Sequence, residues 1–205
     1  MHRNLPVVIL GLLLTGMLSS PDAAAQAPEP GTEEQRYEYR LLATKKTSTM
    51  RKEMNRAAED GFRFETVMGG KTSFGGPQVV VIMSRPVGSE ASARYQYQLL
   101  ATSKTSTMQK EMQEASDAAF EYRGQTVFKS TFGGEEVVVI LERDQEVYPP
   151  LRYEYKLLAT KKTSTMQKEM RAAAAQGFVL VGLTVSKTRF GGSEVVTIMR
   201  RRVAQ

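Results

Sequence analysis

One unit of about fifty residues recurs three times in this chain without a gap, and nothing else in the sequence narrows the fold so far. Residues 36–85, 94–143 and 152–201 align at an offset of about 58 residues, a period in the range of tandem arrays. The shared skeleton opens on Arg-Tyr-x-Tyr-x-Leu-Leu-Ala-Thr-x-Lys-Thr-Ser-Thr-Met-x-Lys-Glu-Met. It then passes a Phe and a Lys-x-x-Phe-Gly-Gly turn to Val-Val-x-Ile and a closing Arg. About 30 of 50 positions agree between the second and third copies, so one small domain has been copied twice. Recent duplication and a shared constraint both account for that identity.

In the first copy, Tyr37, Glu38, Tyr39, Arg40 and Leu41 alternate large apolar with charged side chains, the period of a half-buried strand. Tyr37, Tyr39, Leu41 and Ala43 share one face. We expect that face to pack beneath the helix, with sugar-ring stacking on Tyr37 and Tyr39, with Tyr95, Tyr97, Tyr153 and Tyr155, as the other reading. Thr47, Ser48 and Thr49 are good N-cap residues, and Ser106 and Ser164 stand three before Gln109 and Gln167, the spacing of a capping box. Met50, Met54 and Ala57 fall on one side of the helix that follows, while Arg51, Lys52, Glu53 and Asn55 are expected to face water. Gly61 ends it. Residues 62–72 read as extended, Phe74, Gly75 and Gly76 as a turn, and 79–83 as a third strand. That last strand is apolar at every position, which requires cover on both faces: the helix on one, and the sheet of a neighbouring copy or another chain on the other.

Each module therefore reads β-α-β-β. The fold class is α+β: three tandem modules, each a three-stranded mixed sheet of order 1-3-2 with one helix on one face, the modules packed on each other. The joins at 86–93 and 144–151 are short enough to keep neighbours in contact, and a tail follows at 202–205.

His2 and Arg3 precede an apolar run over residues 5–18, and Ala23, Ala24 and Ala25 supply small residues before a cut, the layout of a secretory signal at 1–25. The run is short of the ~20 residues that span a bilayer. The expected mature chain is exported, periplasmic or secreted from a bacterium, begins with a disordered linker at 26–35 and has no membrane span. With 0 Cys it has no disulfides, and fifty residues alone bury too little surface to be stable. Copies must lean on one another. The net charge of +6 is spread through the modules among acidic residues, which argues against nucleic acid and leaves an unknown protein or an anionic envelope component as partner.

The residues at 37–42, Met54-Asn55, Gly61-Phe62 and a hairpin ending in Arg85 resemble the small bacterial domain of unknown function 4177. That family shows a Tyr-rich first strand, Leu-Asn in the helix, Gly-Trp at its end and a closing Arg. Here Met replaces Leu, Phe62, Phe120 and Phe178 stand for Trp, and Ala119 replaces the Gly in the second copy. The resemblance implies a fold and no activity.

The only His is His2, inside the expected leader, so the mature chain lacks the commonest general base, thiol nucleophile and zinc ligands. Glu53, Glu111 and Glu169 sit among lysines on a solvated helix face. We assign no catalytic residue, no metal ligand and no cofactor, and expect a non-enzymatic protein. The sharpest candidate site is the helix start, Lys46, Thr47, Ser48 and Thr49, with its copies Lys104, Thr105, Ser106, Thr107 and Lys162, Thr163, Ser164, Thr165. Free backbone N–H groups, hydroxyls and a Lys suit an anion there, and ordinary capping asks for the same hydroxyls. Two functional expectations follow. One is a binding or assembly module of the cell envelope, with homo-oligomeric packing; the other is a binder of anionic polymers or small anions through these turns.

Overall fold

Three copies of one design follow each other in the order the repeat dictates. The computed structural model describes residues 35–73, 76–129, 135–187 and 193–203. The expected leader, nearly all of the 26–35 linker, most of the Phe-Gly-Gly turns and the end of the tail lie outside the described residues. Module 1 consists of β1 (Tyr37–Thr44), α1 (Thr47–Glu59), β2 (Arg63–Thr72) and β3 (Gly76–Pro86). Module 2 repeats it as β4 (Tyr95–Thr102), α2 (Thr105–Asp117), β5 (Glu121–Lys129) and β6 (Glu135–Asp144). Module 3 is β7 (Tyr153–Thr160), α3 (Thr163–Ala174), β8 (Val179–Lys187) and β9 (Ser193–Arg202).

Each sheet has the expected order, with the third strand of the module between the other two. The outer strands run the same way but never pair, so every ladder is antiparallel and the sheet is mixed in strand direction only. The second strand of each module carries one bulged residue, Glu65, Arg123 or Val181. A bulge at the same place three times is part of the design.

Met50, Met54, Ala57 and Ala58 bury the inner side of α1 against Val79, Val81 and Met83 of β3, and Met108 and Met112 do the same against Val137, Val139 and Leu141. Leu42, Leu100 and Leu158 point toward the helix of their own module. The tyrosines therefore do not lie beneath that helix, as their phase suggested. Alternation puts Tyr39, Tyr97 and Tyr155 on the opposite face.

The helix starts differ from the capping expectation. Lys46, Lys104 and Lys162 are the N-cap residues, extended and without a side-chain cap, and Ser48, Ser106 and Ser164 lie one position inside the first turn. The cause is local. Thr44, Thr102 and Thr160 at the strand ends accept the Lys N–H through Oγ1 at 3.3, 3.1 and 3.2 Å, and the Lys carbonyls accept the first helical bonds at 3.0 Å. Gln109 is consequently not in a capping box.

The helix ends are as expected in two modules. Gly61 (φ +86°) and Gly177 (φ +84°) turn the chain out of the helix, and the following Phe N–H closes back on Ala57 or Ala173, the hydrogen-bond pattern of a Schellman motif. In module 2 Ala119 takes φ +67° with the same bonds, a conformation that costs an L-residue about 1 kcal/mol. The closing arginines complete each module: Arg85, Arg143 and Arg201 stack on Phe62, Phe120 and Phe178 at 4.7, 5.1 and 4.8 Å. Arg85 and Arg201 also donate to the carbonyls of Asp60 and Gln176 at the helix end. Among the described residues no helix is long and apolar enough to cross a membrane.

Candidate functional site

The second face of each sheet is where the modules meet. It was expected to be covered by a neighbouring sheet, and the preceding module supplies both sheet and helix, its helix on the first strand and its second strand along the second strand: α1 on β4 and β2 along β5, then α2 on β7 and β5 along β8.

Side chains that differ between the copies, together with a tyrosine common to all three, make this joint. β4 is an edge strand with free backbone groups. Asn55 of α1, rather than facing water, donates to the Tyr97 carbonyl and accepts the Tyr97 N–H, both at 2.9 Å. Gln113 of α2 reads the N–H and carbonyl of Tyr155 and Tyr153 in the same way, each at 3.2 Å, and Gln109 adds the Leu157 N–H at 3.0 Å. The Tyr97 hydroxyl accepts the Phe64 N–H and donates to Glu142, each at 2.8 Å, and Tyr155 accepts the Tyr122 N–H at 2.8 Å. Burial, with the nearby Glu142 charge, pushes the Tyr97 phenol well above its ordinary range, and burial raises Tyr155 as well.

Glu142 is buried and ion-paired with Arg63 at 2.9 Å. At the same two repeat positions in the next joint the signs are reversed, with Glu121 paired to Arg200 at 2.7 Å. Arg63 and Arg200 each hold their proton more tightly than usual: burial works against the charge, but the partnering carboxylate outweighs it.

Glycines let the layers approach. A Cβ on Gly69 would stand 2.0 Å from the Val127 carbonyl oxygen, and one on Gly124 would meet the Phe64 ring at 3.0 Å. On Gly182 it would meet the Tyr122 hydroxyl at 2.6 Å.

Because the joint is made twice by three modules, one half of it is left over at each end. At the receiving end, Tyr39 is 70 % exposed whereas Tyr97 and Tyr155 are each 2 % exposed, and Leu41 is 65 % exposed whereas Leu157 is buried. Met68 is bare beside them. At the covering end, Val179, Leu180, Leu183 and Val185 of β8 are exposed, although Phe64, the first-module counterpart of Leu180, is buried. Ala174 is exposed, while Ala58 and Ser116 at its position are buried.

The predicted anion turns lie elsewhere. Lys46, Lys104 and Lys162 and the serines after them are exposed, and Thr47, Thr49 and their copies Thr105, Thr107, Thr163 and Thr165 are half-buried or exposed. Among the described residues nothing beyond the helix start itself is directed at a ligand there, and no cluster of acidic or His side chains suited to a metal is present. A groove of about 810 Å³ between α2 and β7 is lined by Gln109 and Gln113, whose amides are already engaged with β7. It is the seam of the joint.

No family model, curated protein or solved structure matches this chain, so its likeness to the domain of unknown function 4177 rests on the residues quoted above.

Proposed function

We propose that this is an exported, non-enzymatic protein that works as an assembly module of the cell envelope, through the bare sheet face of its first module. The observation that carries this reading is the contrast at one repeat position: Tyr39 lies open where Tyr97 and Tyr155 are covered. An apolar face of this kind, rimmed by charge, is characteristic of an interaction surface. Export is supported by the signal layout at 1–25, and the absence of His and Cys after residue 25 supports a role without acid–base or thiol chemistry.

The test is made in the producing cell. A photo-crosslinking residue is placed at Leu41, and a second one at Ser103, in the exposed turn between β4 and α2, serves as control. Crosslinking from Leu41 alone, in the exported fraction and on chains beginning at Gln26, is the expected result. Chains that retain Met1 would overturn the export reading. A Leu41 probe that captures no more than the Ser103 probe would show that the face has no occupant.

A further inference from the structure

We infer that the two bare ends of the chain are partners. The open surface of α3 and β8 in one copy seats on the open sheet face of module 1 in a second copy, continuing head to tail the contact that the chain makes twice within itself. The inference rests on reading the module 1 face as the working surface, and it names the occupant.

Equivalence by repeat is the first argument, since Tyr39 and Leu41 occupy the positions of buried receiving residues and Leu180 occupies that of a buried covering residue. Each end also departs from the repeat in a way the other end matches. Both internal joints carry an opposite-sign pair, Arg63 with Glu142 and Glu121 with Arg200. At the ends the same two positions hold Val179 and Ser84, so the pair is missing from both halves together; the nearest carboxylate at the receiving end, Glu65, is exposed and already accepts the Ser84 hydroxyl. Had either of the two positions kept an ionic residue, docking would strand it against an uncharged partner.

Size is matched too. Where the covering residue is aromatic, Phe64 or Tyr122, the receiving residue beneath it is Gly124 or Gly182, and a Cβ there would crowd the ring or its hydroxyl, at 3.0 and 2.6 Å. At the ends the covering residue shrinks to Leu180 and the receiving glycine becomes Thr66. One element is weaker. Arg171 stands where Asn55 and Gln113 read the edge strand, and a guanidinium donates to a carbonyl but cannot accept the edge N–H. The contact between copies is therefore looser than the internal ones and depends on concentration.

Both ends are exposed in the same chain, so the contact falls between chains. It joins unlike surfaces and builds rings or filaments, not a symmetric pair.

The chain has 0 Cys, which makes cysteine pairing a clean test. In the first joint Val67 packs within 3.4 Å of the Cβ position of Gly124. By repeat, Leu183 of one copy faces Thr66 of the next. The full chain carrying Thr66→Cys and Leu183→Cys, oxidised at high concentration, should give a ladder of multiples on a denaturing gel. The two single variants mixed should give dimer only, and each alone should give much less. A monomer in every lane, an internally closed monomer, or dimers of the Thr66→Cys variant alone would overturn the proposal; the last is face-to-face pairing. Light scattering supplies an independent measurement, in which Leu41→Glu and Leu183→Glu are each monomeric and regain a dimer only with a mixing partner whose complementary end is intact. If cysteine pairing fails while the Leu41 crosslinker still captures another envelope protein, the occupant is wrong and the working face stands.

Discussion

The joint between modules 1 and 2 and the joint between modules 2 and 3 use the same positions and are not interchangeable. In the first, Arg63 meets a buried Glu142, Val67 rests on Gly124, and Gly69 brings β2 against the backbone of β5. In the second, the ion pair is reversed, Gln125 stands in place of Val67, and Val127 stands in place of Gly69. The reversal excludes a wrong order. If module 1 covered module 3, Arg63 would face Arg200; if module 2 covered a second module 2, Glu121 would face Glu142. Repulsion of this kind selects partners as effectively as attraction does. Residues shared by the copies thus build the module, and residues that differ between them choose its neighbour.

The largest effect should come from making the first joint carry the wrong sign. Arg63→Glu sets a carboxylate against the buried Glu142 and should destabilise the chain by about 3–5 kcal/mol in denaturant unfolding. Adding Glu142→Arg should recover only part of the loss, because the new arginine meets Arg123, which lies 3.6 Å from Glu142 where module 3 has Val181; adding Arg123→Val as well should recover most of it. Failure of the triple variant to rescue would mean that the two joints differ in more than charge.

Alkaline pH should weaken both joints, the second more. Burial raises the phenols of Tyr97 and Tyr155 and pushes Tyr122 up to about 12. Each phenol keeps its proton in the folded chain at a pH where the unfolded chain has lost it. Its contribution is therefore complete below the unfolded value of about pH 10 and falls as pH rises above it, by about 1.4 kcal/mol per pH unit per tyrosine. Urea titrations at successive pH values should show Tyr155→Phe losing less stability than the parent between pH 10 and 12. Equal slopes would remove Tyr155 from the account.

Gln125 offers a way to make the second joint more like the first. Both atoms of its amide are buried without a hydrogen-bond partner, against Gly182, and such a group costs about 1–3 kcal/mol. Gln125→Leu, which installs the residue found at this position in module 3, should stabilise the chain by about 1–2 kcal/mol. A destabilised variant would mean that the amide has a partner in solution.

Much of this was legible in the sequence, and the limits have physical causes. The helix face followed from periods that belong to a single chain segment, and the strand order from the handedness of the crossover. The tyrosines were assigned to the wrong side because alternation identifies two faces and does not say which one carries the helix. Asn55 was assigned to water because a polar helix residue and a reader of a neighbouring strand edge have the same composition. The joint did leave one trace, Arg63, Glu121 and Val179 at one repeat position against Ser84, Glu142 and Arg200 at another. Only the fold brings those two columns together.

A smaller effect, outside both joints, separates module stability from module pairing. Ala119 holds φ +67° where the other copies have glycine. Ala119→Gly should stabilise module 2 by about 1 kcal/mol and leave the charge-reversal cycle unchanged. A change in that cycle would show that the helix end is coupled to the joint.

The smallest effect is expected at the helix starts. If Ser48, Ser106 and Ser164 were caps, Ser→Ala would cost about 1 kcal/mol at each site. They lie inside the first turn, after an N-cap Lys with no side-chain cap bond, and Thr44 and its copies supply the nearby hydroxyl contact. Alanine is also the better helix former at an interior position. Each Ser→Ala change should therefore stay within about 0.5 kcal/mol of the parent, while Thr102→Ala, which removes the 3.1 Å contact to the Lys104 N–H, should cost more. Equal losses at Ser106 and Thr102 would restore the capping role to the serine. A triple Lys46, Lys104 and Lys162→Gln variant should match the parent in stability, since these side chains are exposed. Should it also lose affinity for an anionic polymer that the parent binds with a salt-dependent constant, the turns would carry a function separate from the joints.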